Sequence, residues 1–259
     1  MVLSYALYAL ALPVFLLVTL PLSAQDAFEI QVYEVDTVPA GKWGLETHLN
    51  DVVRGTKERE AHLAPSEGQV HLTFELPRGI TNAFEIAGYL SLASRSGVAA
   101  DFAATRIRPR VRVPEGWGWP IGFSLSAEVA YTRSPYEEDS VGIELRPILE
   151  KRFGRWQIDL NPVVTHALRG PGTSAGWHFE PAARVAYNFR DDLALGLEYY
   201  GALGPVDHWL PKEQQVHLLY PVVDYQVTKA TLIHVGAGWR LTDAGNGFTV
   251  KARLGIEFD

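Results

Sequence analysis

The stretch Asn246–Asp259, reading NGFTVKARLGIEFD, decides how the rest of the chain is understood. Taken two residues at a time, Phe248, Val250, Ala252, Leu254, Ile256 and Phe258 fall on one face, and Thr249, Lys251, Arg253, Gly255 and Glu257 on the other. Such alternation predicts a β-strand with one apolar and one charged side. The charges would be costly in a packed core, and the continuous apolar face would be costly in water. Both are accommodated when lipid lies outside and water inside. The fold class this predicts is all-β: a transmembrane antiparallel barrel whose polar phase points inward.

Composition is compatible with that reading and narrows the alternatives. The chain has 259 residues, 20% of them charged, and a net charge of −7, which argues against nucleic acid as a partner. It has no Cys, so disulfides, thiol catalysis, thiolate metal sites and an N-terminal lipidated Cys are excluded.

Residues 1–24 carry no charge and run apolar through LYALALPVFLLVTLPLSA. Pro13, Pro21 and the small pair Ser23-Ala24 predict a cleaved secretory signal peptide over 1–24, cut after Ala24. The lack of a Lys or Arg before the apolar core, and the bulky Leu22, are irregular for a signal; an uncleaved anchor is the alternative. A signal followed by strands places the protein in the outer membrane of a Gram-negative bacterium, with that membrane's lipids as partners.

The mature chain is expected to open with a short periplasmic segment, residues 25–41, with a strand-like core at Ile30, Val32 and Val35. The barrel is expected over 42–259, in about twelve strands long enough to cross a bilayer at a tilt. A turn at Pro77-Arg78-Gly79 is expected to separate the second and third strands, and a longer loop the third and fourth. The tenth strand, Glu213 to Asp224, is the least regular, because its alternation slips near Tyr220-Pro221. Trp43, Trp117, Trp119 and Trp156 sort to the periplasmic end and Trp177, Trp209 and Trp239 to the outer end, as two interfacial girdles would. Pro109, Pro147, Pro162, Pro181 and Pro221 fall inside strands, where bulges or kinks are expected because a closed barrel has no free edge.

Pointing each polar phase inward gives an ionic lumen. The acids expected there include Glu46, Glu75, Glu85, Glu128, Glu144, Glu150, Asp159, Glu180 and Glu198; the bases include Arg106, Arg108, Arg110, Arg112, Arg146, Arg184, Lys251 and Arg253. The extreme case is Thr105–Val113, TRIRPRVRV, with four Arg at period two. Two readings of that row stand: a ladder that attracts anions, or Arg–carboxylate pairs that brace the wall, with Glu128 among the partners. Twelve strands imply a backbone radius of roughly 12–13 Å, so side chains leave a narrow or a plugged passage.

His48 and His71, with Glu46 and Glu75, could meet on the first hairpin as metal ligands. The reading preferred from sequence makes them lumenal hydrogen-bonding groups, with no metal and no cofactor. His166 falls in the lipid-facing phase, but the residue two beyond it is Leu168 and not a nucleophile. No catalytic constellation or phosphate loop stands elsewhere, so an enzyme is disfavoured.

The stretches FEIQVYEVDTVPAGKWGLETHLN (Phe28–Asn50), ELPRGITNAFEIAGYL (Glu75–Leu90), PEGWGWPIGFSLSAEVAY (Pro114–Tyr131) and LALGLEYYG (Leu193–Gly201) resemble transporter-like outer-membrane barrels grouped with proteins of the meta-pathway of phenol degradation. These stretches are architectural and carry no catalytic residue. An apolar strand ending on Phe258, here followed by Asp259, also resembles the C-terminal signature of bacterial outer-membrane barrels, which implies the barrel-assembly machinery as a partner. The expectation is a narrow channel for small anionic or polar solutes. An occluded structural barrel, or an enzyme acting on outer-leaflet lipid, is the alternative.

Overall fold

The computed structural model describes residues 26–59 and 62–259. The expected signal peptide, residues 1–24, lies outside them. The strands are β1 (Trp43–Arg54), β2 (Val70–Thr81), β3 (Phe84–Arg95), β4 (Val98–Arg112), β5 (Gly122–Thr132), β6 (Val141–Phe153), β7 (Trp156–Arg169), β8 (His178–Arg190), β9 (Leu193–Ala202), β10 (Gly204–Pro205), β11 (Val216–Thr228), β12 (Thr231–Arg240) and β13 (Phe248–Phe258). β10 is a two-residue extension that pairs with the start of β8. The other strands form one ring, each antiparallel to its neighbours, with β9 beside β11 and β13 closing on β1. Closure removes every exposed edge, which a bilayer demands.

The last strand behaves as its alternation predicts. Val250, Leu254 and Ile256 face outward and exposed, while Lys251, on the opposite phase, is only 2% exposed. Its pairing with β1 runs from Trp43↔Phe258 to Arg54↔Phe248, with one bulge at the far end. The Trp residues sort to the two ends as expected, with Trp43 and Trp156 opening strands at one end and Trp239 closing β12 at the other.

Four expectations about the strands and their connections need correction. The turn placed at Pro77-Arg78-Gly79 lies inside β2, which continues to Thr81; the chain reverses instead at Asn82-Ala83. The long third loop is a two-residue turn at Ser96-Gly97, with Gly97 at φ 75°, a left-handed conformation that glycine adopts without strain. The five strand prolines cause no bulge. Pro109, Pro147 and Pro221 sit in short gaps where bridges to one neighbouring strand lapse and resume in the same register, and Pro162 pairs opposite Pro181. All five lie on the outward phase of their strands. Finally, β11 does not slip: Val216, Leu218, Tyr220 and Val222 all point inward and are buried. Its inner face is apolar because something packs on it.

That something is residues 26–39. Expected on the periplasmic side, this segment instead threads the lumen as extended chain outside the sheet. Phe28 packs with Ala93 and Ala103 and lies edge-on to Tyr136 of the β5–β6 loop, near the outer end. Ile30 and Val32 pack on the apolar face of β11 with Ala182, Tyr200 and Ala202. Tyr33 and Val35 pack on Ile148 of β6. At the other end the chain leaves between Gly44 and Gly79. A Cβ on Gly79 would fall 2.0 Å from the Pro39 carbonyl oxygen, so glycine is what lets the segment cross β2.

Candidate functional site

The lumen and the segment within it form one site. Inward side chains of β4 present Arg106, Arg108, Arg110 and Arg112 at every second position, because the strand repeats every two residues. Each one has a carboxylate. Arg106 pairs with Asp26, with Glu128 at 3.4 Å and with Glu29 at 3.6 Å. Arg108 pairs with Glu75 and with Glu85 at 3.1 Å, and its Nε donates to the Tyr89 hydroxyl at 2.6 Å. Arg110 meets Glu85 at 2.8 Å, and Arg112 meets Asp36 at 2.6 Å. The bracing reading of the row therefore holds here. Its acids come from β2, β3 and β5 and from the segment.

The rest of the wall repeats the arrangement. Arg184 pairs with Asp224, with Glu34 at 2.9 Å and with Asp159 at 3.3 Å. Lys251 pairs with Glu198 and donates to the Ile30 carbonyl at 3.0 Å. Arg253 meets Glu46 at 2.7 Å, and Arg146 meets Glu144 at 2.7 Å while donating to the Gln31 carbonyl at 3.2 Å.

The segment lacks a strand's ladder, so wall side chains satisfy its backbone. Tyr33 N–H donates to Asn161 Oδ1 at 2.7 Å, Val35 N–H to Glu150 at 3.1 Å, and Val38 N–H to Glu85 at 2.7 Å. The Tyr33 ring lies under three guanidinium groups, those of Arg146, Arg108 and Arg110, at 4.4, 4.9 and 5.4 Å from its centre. Cation–π attraction and burial together make it the most heavily held side chain of the segment.

Every sequence-predicted residue lies on the inward phase, but the two histidines part company. His71 turns to the segment, its Nδ1 3.0 Å from the Ala27 carbonyl and its Nε2 2.8 Å from Gln69 Oε1. His48 stays between Glu46 and Glu75, at 3.8 and 3.7 Å. Glu180 accepts from Thr165 at 3.1 Å and lines a cavity of about 260 Å³ at the outer mouth. The floor of that cavity is Asp26, Ala27 and Phe28, and its walls carry Glu128, Glu137 and Glu144. Burial pushes the Glu137 carboxyl, in the β5–β6 loop, up to about 7. His166 is on the outward phase, stacked 5.3 Å from Trp177 in the outer girdle.

Sequence reasoning missed Asp26, Glu29, Glu34 and Asp36, because the segment was placed outside the barrel. It also missed Asp224 of β11, a strand that offered no clear polar phase, and its partner His234 of β12 at 2.6 Å. The apolar inner face of β11 was the signal that could have found the segment.

Solved structures that resemble this chain are outer-membrane channels and porins. An outer-membrane channel from Pseudomonas putida F1 matches with a TM-score of 0.56 at 14% identity, covering 89% of this chain and all of its own. The NanC porin matches at 0.53 and 7% identity, over 84% of this chain and 99% of its own. The KdgM porin matches at 0.50 and 10% identity, over 83% and 98%. At such identities the likeness concerns the fold: a closed barrel of the outer-membrane porin-like kind. No family model and no curated protein matches the sequence.

Proposed function

We propose that this chain is an outer-membrane channel for small polar solutes, and that residues 26–39 close it in the conformation described. The observation that carries this is the nature of the filling. The inner wall is ionic around most of its circumference, and what occupies it is a single extended strand of chain held by side-chain contacts. An ionic wall is stable against water when the segment leaves, whereas an apolar core is not. The porin-like neighbours support the same reading, and a channel accounts for the architecture without any catalytic group.

The solute's charge follows from the pairing. The Arg row carries carboxylates along its whole length, so it gives no reason for anion preference. The outer mouth is lined mainly by acids, which favours neutral and cationic polar solutes entering from outside. The resemblance to barrels grouped with the phenol meta-pathway is part of this reading as architecture, and it assigns no substrate.

Liposome swelling tests the proposal. Vesicles holding the purified barrel should admit small neutral and cationic polar solutes faster than anions of equal size. Vesicles that stay impermeable to all three even when the barrel lacks residues 26–39 would favour an occluded structural barrel.

A further inference from the structure

Glu29 of the segment, His48 of β1 and Glu75 of β2 offer ligand atoms that all lie within 4.8 Å of one another, and all three residues are buried. Two of those ligand atoms have no hydrogen-bond partner. These are His48 Nε2 and Glu75 Oε2, both fully buried, in residues 2% and 1% exposed. They face each other at 3.7 Å, beyond hydrogen-bond distance. That separation suits two ligands of one small metal ion with bonds of about 2.0–2.2 Å. Orphaned buried polar atoms are costly, so a pair of them turned to one point asks for a third party.

The local charge points the same way. The ion pairs converging here join six carboxylates (Asp26, Glu29, Glu46, Glu75, Glu85, Glu128) to four guanidinium groups (Arg106, Arg108, Arg110, Arg253). Carboxylates thus outnumber guanidinium groups by two around His48. Arg108 occupies Glu75 Oε1, which leaves Oε2 available.

We infer that Glu29, His48 and Glu75 form a site for one divalent transition-metal ion of the zinc class, binding through one imidazole nitrogen and two carboxylate oxygens. Glu46, 3.8 Å from His48 Nε2, stands next in line as a fourth donor. The absence of sulfur ligands and the single nitrogen suit Zn2+ or Co2+ and disfavour soft Cu+. Since Glu29 belongs to the segment and the other two belong to the wall, the ion would pin the segment in place.

The test is titration of the full-length folded barrel, stripped with chelator, with Zn2+ by calorimetry and with Co2+ by its visible absorption. The parent should bind one ion per chain. Glu29→Gln and His48→Gln should each weaken binding at least about tenfold, while His166→Gln, on the outward phase beside Trp177, should leave it unchanged. A folded parent that binds no ion, or variants that bind as tightly as the parent, would overturn the site. Heat-dependent gel migration reports whether each variant folds. If the variants do not fold, anomalous scattering at the zinc edge from crystals of the parent decides: a peak within bonding distance of His48 Nε2 supports the site, and a peak elsewhere or none refutes it.

Discussion

Asn161 of β7 holds Tyr33 of the lumenal segment by both halves of its amide. Its Oδ1 accepts from the Tyr33 N–H at 2.7 Å, and its Nδ2 donates to the Tyr33 carbonyl at 3.0 Å. One side chain thus does for one residue what a neighbouring strand does for many. Asn161 is one of several wall side chains that hold the segment's backbone, with Glu150 on Val35 and Glu85 on Val38.

Asn161→Leu keeps the volume and removes both bonds. Each buried hydrogen bond left unmade costs roughly 1–3 kcal/mol, so the Tyr33 amide should exchange with solvent about tenfold faster or more. Amides in β7 and β8 should be unaffected. Hydrogen exchange read by mass spectrometry on segment peptides distinguishes the two.

Arg108 is 1% exposed and is shared by Glu75 and Glu85. Arg108→Met would leave buried carboxylates uncompensated, at a cost of about 3–5 kcal/mol in unfolding experiments with urea. Adding Glu75→Gln to that variant should recover part of the loss. Full stability in Arg108→Met alone would show that the row is solvated and not braced.

Gly79→Ala tests the segment's exit. Its Cβ would meet the Pro39 and Val38 carbonyl oxygens at 2.0 and 2.4 Å, and backbone does not yield as a side chain would. A loss of about 1–3 kcal/mol is expected, with faster proteolysis near residue 39. Gly88→Ala, with nothing within 4 Å of its Cβ, should be neutral.

Glu137 gives a pH dependence. Burial raises its carboxyl from 4.5 to about 7, so the folded protein keeps a proton that the unfolded chain has already lost between those values. Stability contributed by the protonated form is therefore present at low pH and lost as pH rises toward 7. Glu137→Gln should match the parent at pH 4 and exceed its urea midpoint at pH 8. Equal midpoints at both pH values would contradict the shift.

The barrel was legible because its evidence is local. Period-two alternation in β13 and the Arg row of β4 can be read within a dozen residues, and phase alone gives the inward face. The contents of the lumen were not legible, since residues 28–35 alternate like any half-buried strand and their partners lie far along the chain: Glu150, Asn161 and Lys251. The clue was indirect. Val216, Leu218, Tyr220 and Val222 make an inner face unsuited to water, which reads in isolation as a poor strand. The full acid supply of the Arg row is not legible for the same reason, because Asp26, Glu29 and Asp36 enter from the segment and not from adjacent strands.

The central claim is that residues 26–39 close an otherwise water-compatible barrel. Single-channel recording in planar bilayers compares the chain that contains those residues with one lacking them. Water can take up the ionic groups that make up most of the wall, leaving only the β11 face apolar. The shortened barrel should therefore fold and pass a large, steady current, while the full chain should conduct little and intermittently. Equal conductance in the two, or none in the folded deletion, would contradict the account.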